Sequence, residues 1–261
     1  MNLYSSTNMS FLDNNRQYGQ RHEIPNIGFF ITDLLSPTEC DDAISFFDPD
    51  MKEIRVDKSY RMMDQATLSS DELSDKLWAR IYHHFNDITI TPNNECFYAP
   101  SFNINGTWTP KGLNNLFRCS RYKAGGHFSS HRDGFYHPSL NNRSLATFML
   151  YLNDDFVGGS TRFLTDSYCS VTETINLRFP RGTAIIFPHN YLHEGMTIET
   201  GSKYILRTDI MFYNKTQPTA NENIAFNLVK EAGKLEPSDP TQAIKLYKQA
   251  FRLCPDIEKY V

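Results

Sequence analysis

The segment FRCSRYKAGGHFSSHRD, residues 117–133, carries the strongest structural signal in this chain. Its first part has the composition of a β-strand, KAGG has that of a turn, and HFSS leads as a second strand into His131. Side chains two positions apart on a strand point to the same side, so His131 and Asp133 can bind one ion together. The segment therefore predicts a β-hairpin that presents two metal ligands.

Three segments farther along the chain also have strand or turn composition. They are residues 143–153 (RSLATFMLYLN), residues 155–163 (DFVGGSTRF) with a Gly-Gly turn, and residues 181–188 (RGTAIIFP), which end shortly before His193. Short strands at this spacing predict a mainly β protein built as a barrel or a jelly roll.

His193 offers the third metal ligand, from a strand expected to lie beside the hairpin. Two imidazoles and one carboxylate on one side of a metal ion leave the opposite coordination positions open. A non-haem Fe(II) centre needs those positions for O₂ and a co-substrate. The pattern His131, Asp133, His193 therefore makes an oxygenase the first hypothesis.

Residues 117–212 resemble the Fe(II)/2-oxoglutarate dioxygenase domain of the prolyl 4-hydroxylase type, to which lysyl hydroxylases are related. Residues 28–40 are similar to the strand-then-helix opening of the same family. The matching positions, in family order, are Tyr122, His131-Arg132-Asp133, Tyr151-Leu152-Asn153, Gly158-Gly159 with Thr161 and Phe163, Gly182 with Ala184 and Phe187, His193-Glu194-Gly195, and Gly201-Ser202-Lys203-Tyr204.

This resemblance implies a double-stranded β-helix (jelly-roll) core with flanking helices. It also implies a 2-oxoglutarate-dependent dioxygenase that hydroxylates an unactivated C–H and releases succinate and CO₂. A prolyl residue of a protein or peptide is the leading substrate, and Fe(II), 2-oxoglutarate and, as an optional addition, ascorbate are the implied cofactors. Lysyl residues, nucleobases and small metabolites are alternative acceptors, because oxygenases that act on them share the same fold and metal chemistry.

The resemblance places Lys203 where the hydroxylases bind the far carboxylate of 2-oxoglutarate, and we favour it as this anchor. Arg207 is the rival, since it shares a strand face with Lys203 and its guanidinium suits a carboxylate. The two lie ~13 Å apart along a regular strand, so one carboxylate is not expected to bond to both. Tyr122 matches a family tyrosine whose hydroxyl reaches the co-substrate.

Two other classes of protein compete with the oxygenase. A zinc hydrolase or cupin-like binding protein could use the same two histidines and aspartate, but it has no use for a buried cation at residues 201–207. A catalytically silent interaction protein is disfavoured by the intact ligands and anchor. We expect His127, His137 and His189 not to be ligands, and Glu194 to point to the opposite strand face.

Composition limits the environment and the partners of the chain. A net charge of −4 and a pI near 6.1 argue against a broad nucleic-acid-binding surface. The five cysteines are odd in number, scattered and without a C-x-x-C motif. There is no apolar run of 18 or more residues and no signal-peptide core. We therefore expect an intracellular, cytoplasmic protein in a reducing compartment, with the nucleus left open, and no membrane partner.

Three parts are expected along the chain. Residues 1–24 predict a mobile polar arm. Residues 25–216 predict the catalytic domain, with helices at about 37–47 and 71–86. Residues 217–261 predict a helical hairpin that resembles one tetratricopeptide repeat, with Asp239-Pro240 as the start of its second helix. A single repeat does not bury its own apolar face, so the hairpin either packs on the catalytic domain or docks a protein partner.

Overall fold

A computed structural model of the chain describes residue 12 and residues 19–98, 101–166 and 174–261. Antiparallel strands dominate these residues. In chain order they are β1 (Arg21–Ile24), β2 (Gly28–Ile31), β3 (Lys52–Glu53), β4 (Arg61–Met62), β5 (Asp64–Ser69), β6 (Ile88–Ile90), β7 (Gly106–Leu113), β8 (Leu116–Lys123), β9 (His127–His131), β10 (Asn142–Tyr151), β11 (Val157–Gly158), β12 (Thr161–Phe163), β13 (Ile175–Leu177), β14 (Ala184–Pro188), β15 (His193–Gly195), β16 (Ile198–Thr200) and β17 (Ser202–Asn214).

Two facing sheets form the core of the domain. The larger sheet contains the run β14-β10-β17-β8, and the smaller contains β13-β12-β15-β9. Following the chain from β8 to β17, the core strands pass back and forth between these two sheets. This alternation defines a double-stranded β-helix, so the predicted jelly-roll fold is confirmed.

The larger sheet is covered on both faces, which explains why the sequence of its central strand, β10, is almost continuously apolar. Every residue of β10 after Asn142 is buried. One face of the sheet packs, through residues such as Phe148 and Leu150, against the helices, and the other face, through Met149 and Tyr151, fills the inside of the jelly roll. Strands buried on both faces read as continuous apolar runs rather than as alternating ones.

The helices are α1 (Pro37–Phe47), α2 (Asp71–Ile81), α3 (Ala220–Leu235) and α4 (Pro240–Leu253), and four short 3₁₀ helices occupy Asp48–Asp50, Tyr82–His84, Glu95–Phe97 and Pro255–Tyr260. Both helices predicted before the core strands are present. Helix α1 begins at a capping box between Ser36 and Glu39. Helix α2 ends at Ile81, earlier than the predicted position 86, because the chain tightens there into a 3₁₀ turn.

The N-terminal arm differs from its prediction at its C-terminal end. Arg21–Ile24 form β1, which pairs with β2 at the edge of the larger sheet, and Ile24 is buried. Backbone hydrogen bonds to a free sheet edge can order a polar segment of low hydrophobicity. Leu12 is also buried in the core; the remainder of residues 1–18 lies outside the described residues.

The C-terminal hairpin forms as two helices that pack against the catalytic domain. Helix α4 begins with Asp239 as its cap, as the sequence predicts. Ala225 and Ala250 of the hairpin share an apolar cluster with Phe102 and Leu140 of the preceding domain. These contacts support the packing interpretation, and docking of a protein partner stays a prediction. None of the helices in the described residues combines the length and the apolarity that crossing a bilayer requires.

Candidate metal and co-substrate site

His131, Asp133 and His193 come together at one end of the smaller sheet. Strands β9 and β15 are neighbours, and His131 lies directly opposite His193 in their register. Strand β9 ends at His131, but the backbone N–H of Asp133 still donates to the carbonyl of His189 at 3.0 Å, which keeps Asp133 on the same side. The register and this bond together explain how residues 60 positions apart along the chain converge.

The three side chains offer ligand atoms within 4.8 Å of one another. A carboxylate oxygen of Asp133 lies 3.7 Å from Nε2 of His131, and the other oxygen lies 3.7 Å from Nε2 of His193. Within the described residues this is the one such group of three or more His, Cys, Asp or Glu side chains. The geometry therefore brings the three predicted ligands together around one point.

Backbone carbonyls fix the tautomers of both histidines. Nδ1 of His131 lies 2.8 Å from the carbonyl oxygen of Ser129, and Nδ1 of His193 lies 3.0 Å from that of Tyr191. A carbonyl only accepts, so Nδ1 carries the proton and the Nε2 lone pair faces the centre. Burial, followed by the neighbouring His193, lowers the pKa of His131 to about 4. This keeps the imidazole neutral, as a metal ligand must be.

Asp133 is held in its ionised form by Arg207. Burial on its own would raise the pKa of this carboxyl, but the Arg207 guanidinium 3.2 Å away and the hydrogen bond from Thr147 outweigh it and hold the pKa well below its usual range. Arg207 also lies 3.4 Å from Asp209. The half-buried guanidinium thus bridges two carboxylates, one of which is a candidate ligand.

A buried hydrogen-bonded chain supports the other side of Asp133. The Thr147 hydroxyl donates to Asp133 at 2.6 Å and lies 3.0 Å from Nδ1 of His189, whose Nε2 is 2.9 Å from the Ser144 hydroxyl. Because Thr147 gives its one proton to an ionised carboxylate, Nδ1 of His189 must donate to Thr147 and Nε2 must accept from Ser144. Burial, and then Arg207, lowers the pKa of His189 to about 3, which agrees with this neutral tautomer.

A cavity of about 630 Å³ lies over the three candidate ligands and reaches Lys203 inside the jelly roll. Lys203 is 4% exposed, and its Nζ donates to the carbonyl of Gly159 at 2.7 Å. The ammonium also lies 5.1 Å from the centre of the Tyr151 ring. Burial, together with the charge of Arg178, lowers the pKa of Lys203 to about 7. Lys203 lines the cavity and has no carboxylate partner among the described residues, so its buried cation is suited to an anionic ligand.

Lys203, Ile205 and Arg207 line the cavity together, which confirms their predicted shared face on β17. They differ in their neighbours. Lys203 faces Tyr122 across β8 and β17, whereas Arg207 faces Arg118 and reaches Asp133. Tyr122 is buried and also lines the cavity. The cavity therefore has a cation and a phenol at one end and the candidate ligands at the other.

The cavity opens to solvent between aromatic side chains. Tyr60, Phe135 and Tyr136 line it and are each at least 39% exposed. Deeper inside, the Phe128 ring stacks on His131 with ring centres 3.5 Å apart, and Tyr60 packs edge-on against Phe128. Exposed aromatic rings therefore lie between solvent and the candidate ligands.

The remaining predictions for single residues can be compared with the structure. His127, His137 and His189 lie outside the group of three ligands. The His189 side chain reaches Asp133 through Thr147, and the His189 carbonyl accepts from the backbone N–H of Asp133. Glu194 forms an ion pair with Arg162 on the neighbouring strand β12 but also lines the cavity, so its expected position on the opposite strand face is not confirmed. Sequence reasoning missed Thr147, Asp209 and Arg118. Position 209 follows the same two-residue alternation as 203 and 207, and this periodicity was the available signal.

The comparisons with known proteins agree with this site. The model of the 2OG-Fe(II) oxygenase superfamily matches residues 117–210. A PKHD-type hydroxylase of Prochlorococcus marinus (strain NATL2A) is 30% identical over 169 residues, which cover 64% of this chain and 67% of that protein.

Two solved structures are also similar. The viral collagen prolyl hydroxylase of Paramecium Bursaria Chlorella virus-1, in its 2OG complex, is 20% identical with a TM-score of 0.45, covering 76% of this chain and 97% of that one. A prolyl hydroxylase in complex with a hypoxia inducible factor peptide fragment, from Trichoplax adhaerens, is 13% identical with a TM-score of 0.48, covering 72% and 86%. From the family match and the PKHD-type relative, we conclude that this chain belongs to the 2OG-Fe(II) oxygenase superfamily and is a 2-oxoglutarate-dependent dioxygenase.

Proposed function

We propose that this enzyme hydroxylates an unactivated C–H of a prolyl residue in a protein or peptide and converts 2-oxoglutarate and O₂ to CO₂ and succinate. The observation that carries the proposal is the single cavity that joins the buried Lys203 to the candidate ligands and then opens between exposed aromatic side chains. Its volume of about 630 Å³ leaves room for an acceptor beside a small dicarboxylate.

The donor atoms suit Fe(II). His131 and His193 each present one Nε2 lone pair, Asp133 presents a carboxylate, and the cavity lies on the open side of the three. Bound iron would supply the activation of O₂ that is coupled to decarboxylation of 2-oxoglutarate. The chain contributes the fixed orientation of the ligands, since Thr147 and Arg207 hold both oxygens of Asp133.

We propose Lys203 as the anchor for the far carboxylate of 2-oxoglutarate. Its ammonium has one carbonyl acceptor at 2.7 Å and lines the cavity, so a carboxylate there would complete its hydrogen bonding. Tyr122, opposite Lys203 in the strand register, can donate its phenol proton to the same co-substrate. Arg207 is already engaged with Asp133 and Asp209. The proposed role of Arg207 is to orient Asp133.

The proposed acceptor is a residue of a chain rather than a small free molecule because of the form of the opening. Tyr60, Phe135 and Tyr136 expose their rings around it. Exposed aromatic side chains bind apolar rings such as that of proline, and the remainder of a peptide would stay in solvent beyond them. The Arg61 guanidinium covers the Phe128 face 4.1 Å from the ring centre and adds a polar group to the same wall.

The test is oxygen incorporation. Proline-containing peptides and cell extract are incubated with the enzyme, Fe(II), 2-oxoglutarate and ¹⁸O₂, with and without ascorbate, and analysed by mass spectrometry. We expect one ¹⁸O atom in a prolyl residue and formation of succinate. His131→Ala and His193→Ala should abolish both, whereas Arg252→Gln, on the exposed surface of α4, should not. Product formed without O₂ and 2-oxoglutarate would instead indicate a hydrolase.

A further inference from the structure

Arg118 is a cation in the cavity without a partner in the described part of the chain. Strand β8 directs the side chains of residues 118, 120 and 122 to the cavity, and Arg118 lies opposite Arg207 in the register of β8 and β17. The side chain is half-buried. No hydrogen bond or ion pair joins its guanidinium to any other described residue, whereas Arg207 beside it has two carboxylates.

The acidic groups near Arg118 are engaged elsewhere. Asp133 is bound by Arg207 and Thr147. Asp209 lies 3.4 Å from Arg207 and accepts from the side-chain amide of Asn114 at 3.3 Å. Burial, and then the charge of Arg207, lowers the pKa of Arg118 from its ordinary value, as expected of two neighbouring guanidinium groups without a dedicated counter-ion.

Arg61 adds a second such cation on the opposite wall. Its guanidinium covers the Phe128 ring, and its Nε donates to the sulfur of Met63 at 3.3 Å. It also approaches the Tyr122 hydroxyl. None of these neighbours carries a negative charge. By contrast, Arg132 at the same cavity forms an ion pair with Asp166.

The net charge of the site with iron and 2-oxoglutarate bound also indicates an excess of positive charge near Arg118. If the proposed function is correct, an iron dication is matched by the dianion of 2-oxoglutarate. Asp133 and Asp209 balance two of the cations lining the cavity, which leaves positive charge in excess around Arg118 and Arg61. Inside a cavity with restricted solvent, such an excess favours an anion in the remaining space.

We propose that Arg118, with Arg61 nearby, binds a carboxylate of the substrate, so that the preferred substrate is acidic next to the residue that is hydroxylated. A guanidinium can bind a carboxylate with two parallel hydrogen bonds, which also fixes its orientation. This inference rests on the proposed function, because it places the carboxylate beside the acceptor carbon. The carboxylate that agrees with the proposed function is an Asp or Glu side chain of a peptide, and a free amino acid is the other source that the experiment distinguishes.

The experiment measures the charge preference directly. Three synthetic peptides share a Gly/Ser sequence with one central proline, which is flanked by Glu, by Gln or by Lys. Their dissociation constants are measured by fluorescence anisotropy on full-length enzyme loaded with Mn(II) and 2-oxoglutarate without O₂. We expect the Glu peptide to bind at least about tenfold more tightly than the Gln peptide, a difference of about 1.4 kcal/mol. Free L-proline and its amide are tested as competitors to identify a free amino acid as the source.

Variants keep the test independent of folding. Arg118→Gln should remove the preference for the Glu peptide, and Arg118→Glu should transfer it to the Lys peptide, a gain that a misfolded protein would not show. Arg252→Gln should keep the wild-type order. The inference would be overturned if the three peptides bound with equal affinity, or did not bind at all, and L-proline did not compete. Oxygen incorporation without a charge preference would contradict the anion site and support the proposed function. A charge preference without oxygen incorporation would support the anion site and contradict the proposed function.

Discussion

Replacement of Lys203 by methionine tests the co-substrate anchor. Methionine keeps the length and apolar body of the side chain and removes the charge. Lys203 is 4% exposed and has Gly159 as its one hydrogen-bond acceptor in the described residues. A hydrogen bond to a charged group contributes ~1.5–3 kcal/mol. At about 1.4 kcal/mol for each tenfold change, KM for 2-oxoglutarate should rise roughly ten- to a hundredfold.

The assay is steady-state succinate formation at varied 2-oxoglutarate, with Mn(II) affinity measured in parallel. Lys203→Met should leave the metal affinity nearly unchanged, because the ammonium contacts no candidate ligand. Arg207→Met is the matched control, and it should weaken metal binding more than it raises KM, since Arg207 contacts Asp133. A wild-type KM in Lys203→Met, or a larger rise of KM in Arg207→Met, would refute the assignment.

Three further predictions follow from buried contacts. Burial lowers the pKa of Lys203 from 10.5 to about 7, so between these pH values the unfolded chain binds more protons than the folded chain. The free energy of unfolding of the metal-free protein should therefore rise with pH across this window. Urea denaturation should show a flatter pH dependence for Lys203→Met, and an unchanged slope would contradict the burial argument. Thr147→Val removes the 2.6 Å bond to Asp133 and should weaken Mn(II) binding by about 10- to 100-fold, whereas Thr147→Ser should retain it; equal affinities would show that the bond has no role. Truncation after Asn214 should expose Phe102 and Leu140. Light scattering should then show aggregation, or thermal melts a lower Tm. A monomer with wild-type Tm would show that the hairpin does not stabilise the domain.

The candidate ligands could be predicted from the sequence because their signal is local. His131 and Asp133 are two residues apart after a clear turn, and His193 follows a buried apolar strand. Lys203 and Arg207 were placed on one face by simple alternation, and the structure agrees. The preference for Lys203 came from the family resemblance alone, because an argument from contacts needs the neighbours of each residue, which a single strand does not contain.

Contacts between strands account for what the sequence did not predict. Arg118 lies beside Arg207 only because of the register between β8 and β17, and nothing in either segment specifies that register. The hydrogen bond from Nδ1 of His189 to the Thr147 hydroxyl likewise requires the ends of two strands to meet. The order of Arg21–Ile24 depends on a free edge of the larger sheet, so its own polar sequence predicted an arm instead.

Strand β17 holds the proposed anchor for one end of the co-substrate and the residue that orients a ligand at the other. It is hydrogen-bonded along one edge to β10 and along the other to β8 and β7. A strand fixed on both sides has little freedom to lengthen or shift, so the spacing of about 13 Å between positions 203 and 207 is fixed. The enzyme should accordingly discriminate sharply among dicarboxylates of different chain length. Specificity for new acceptors can instead evolve at the exposed aromatic opening, where side chains can change without altering the spacing of positions 203 and 207.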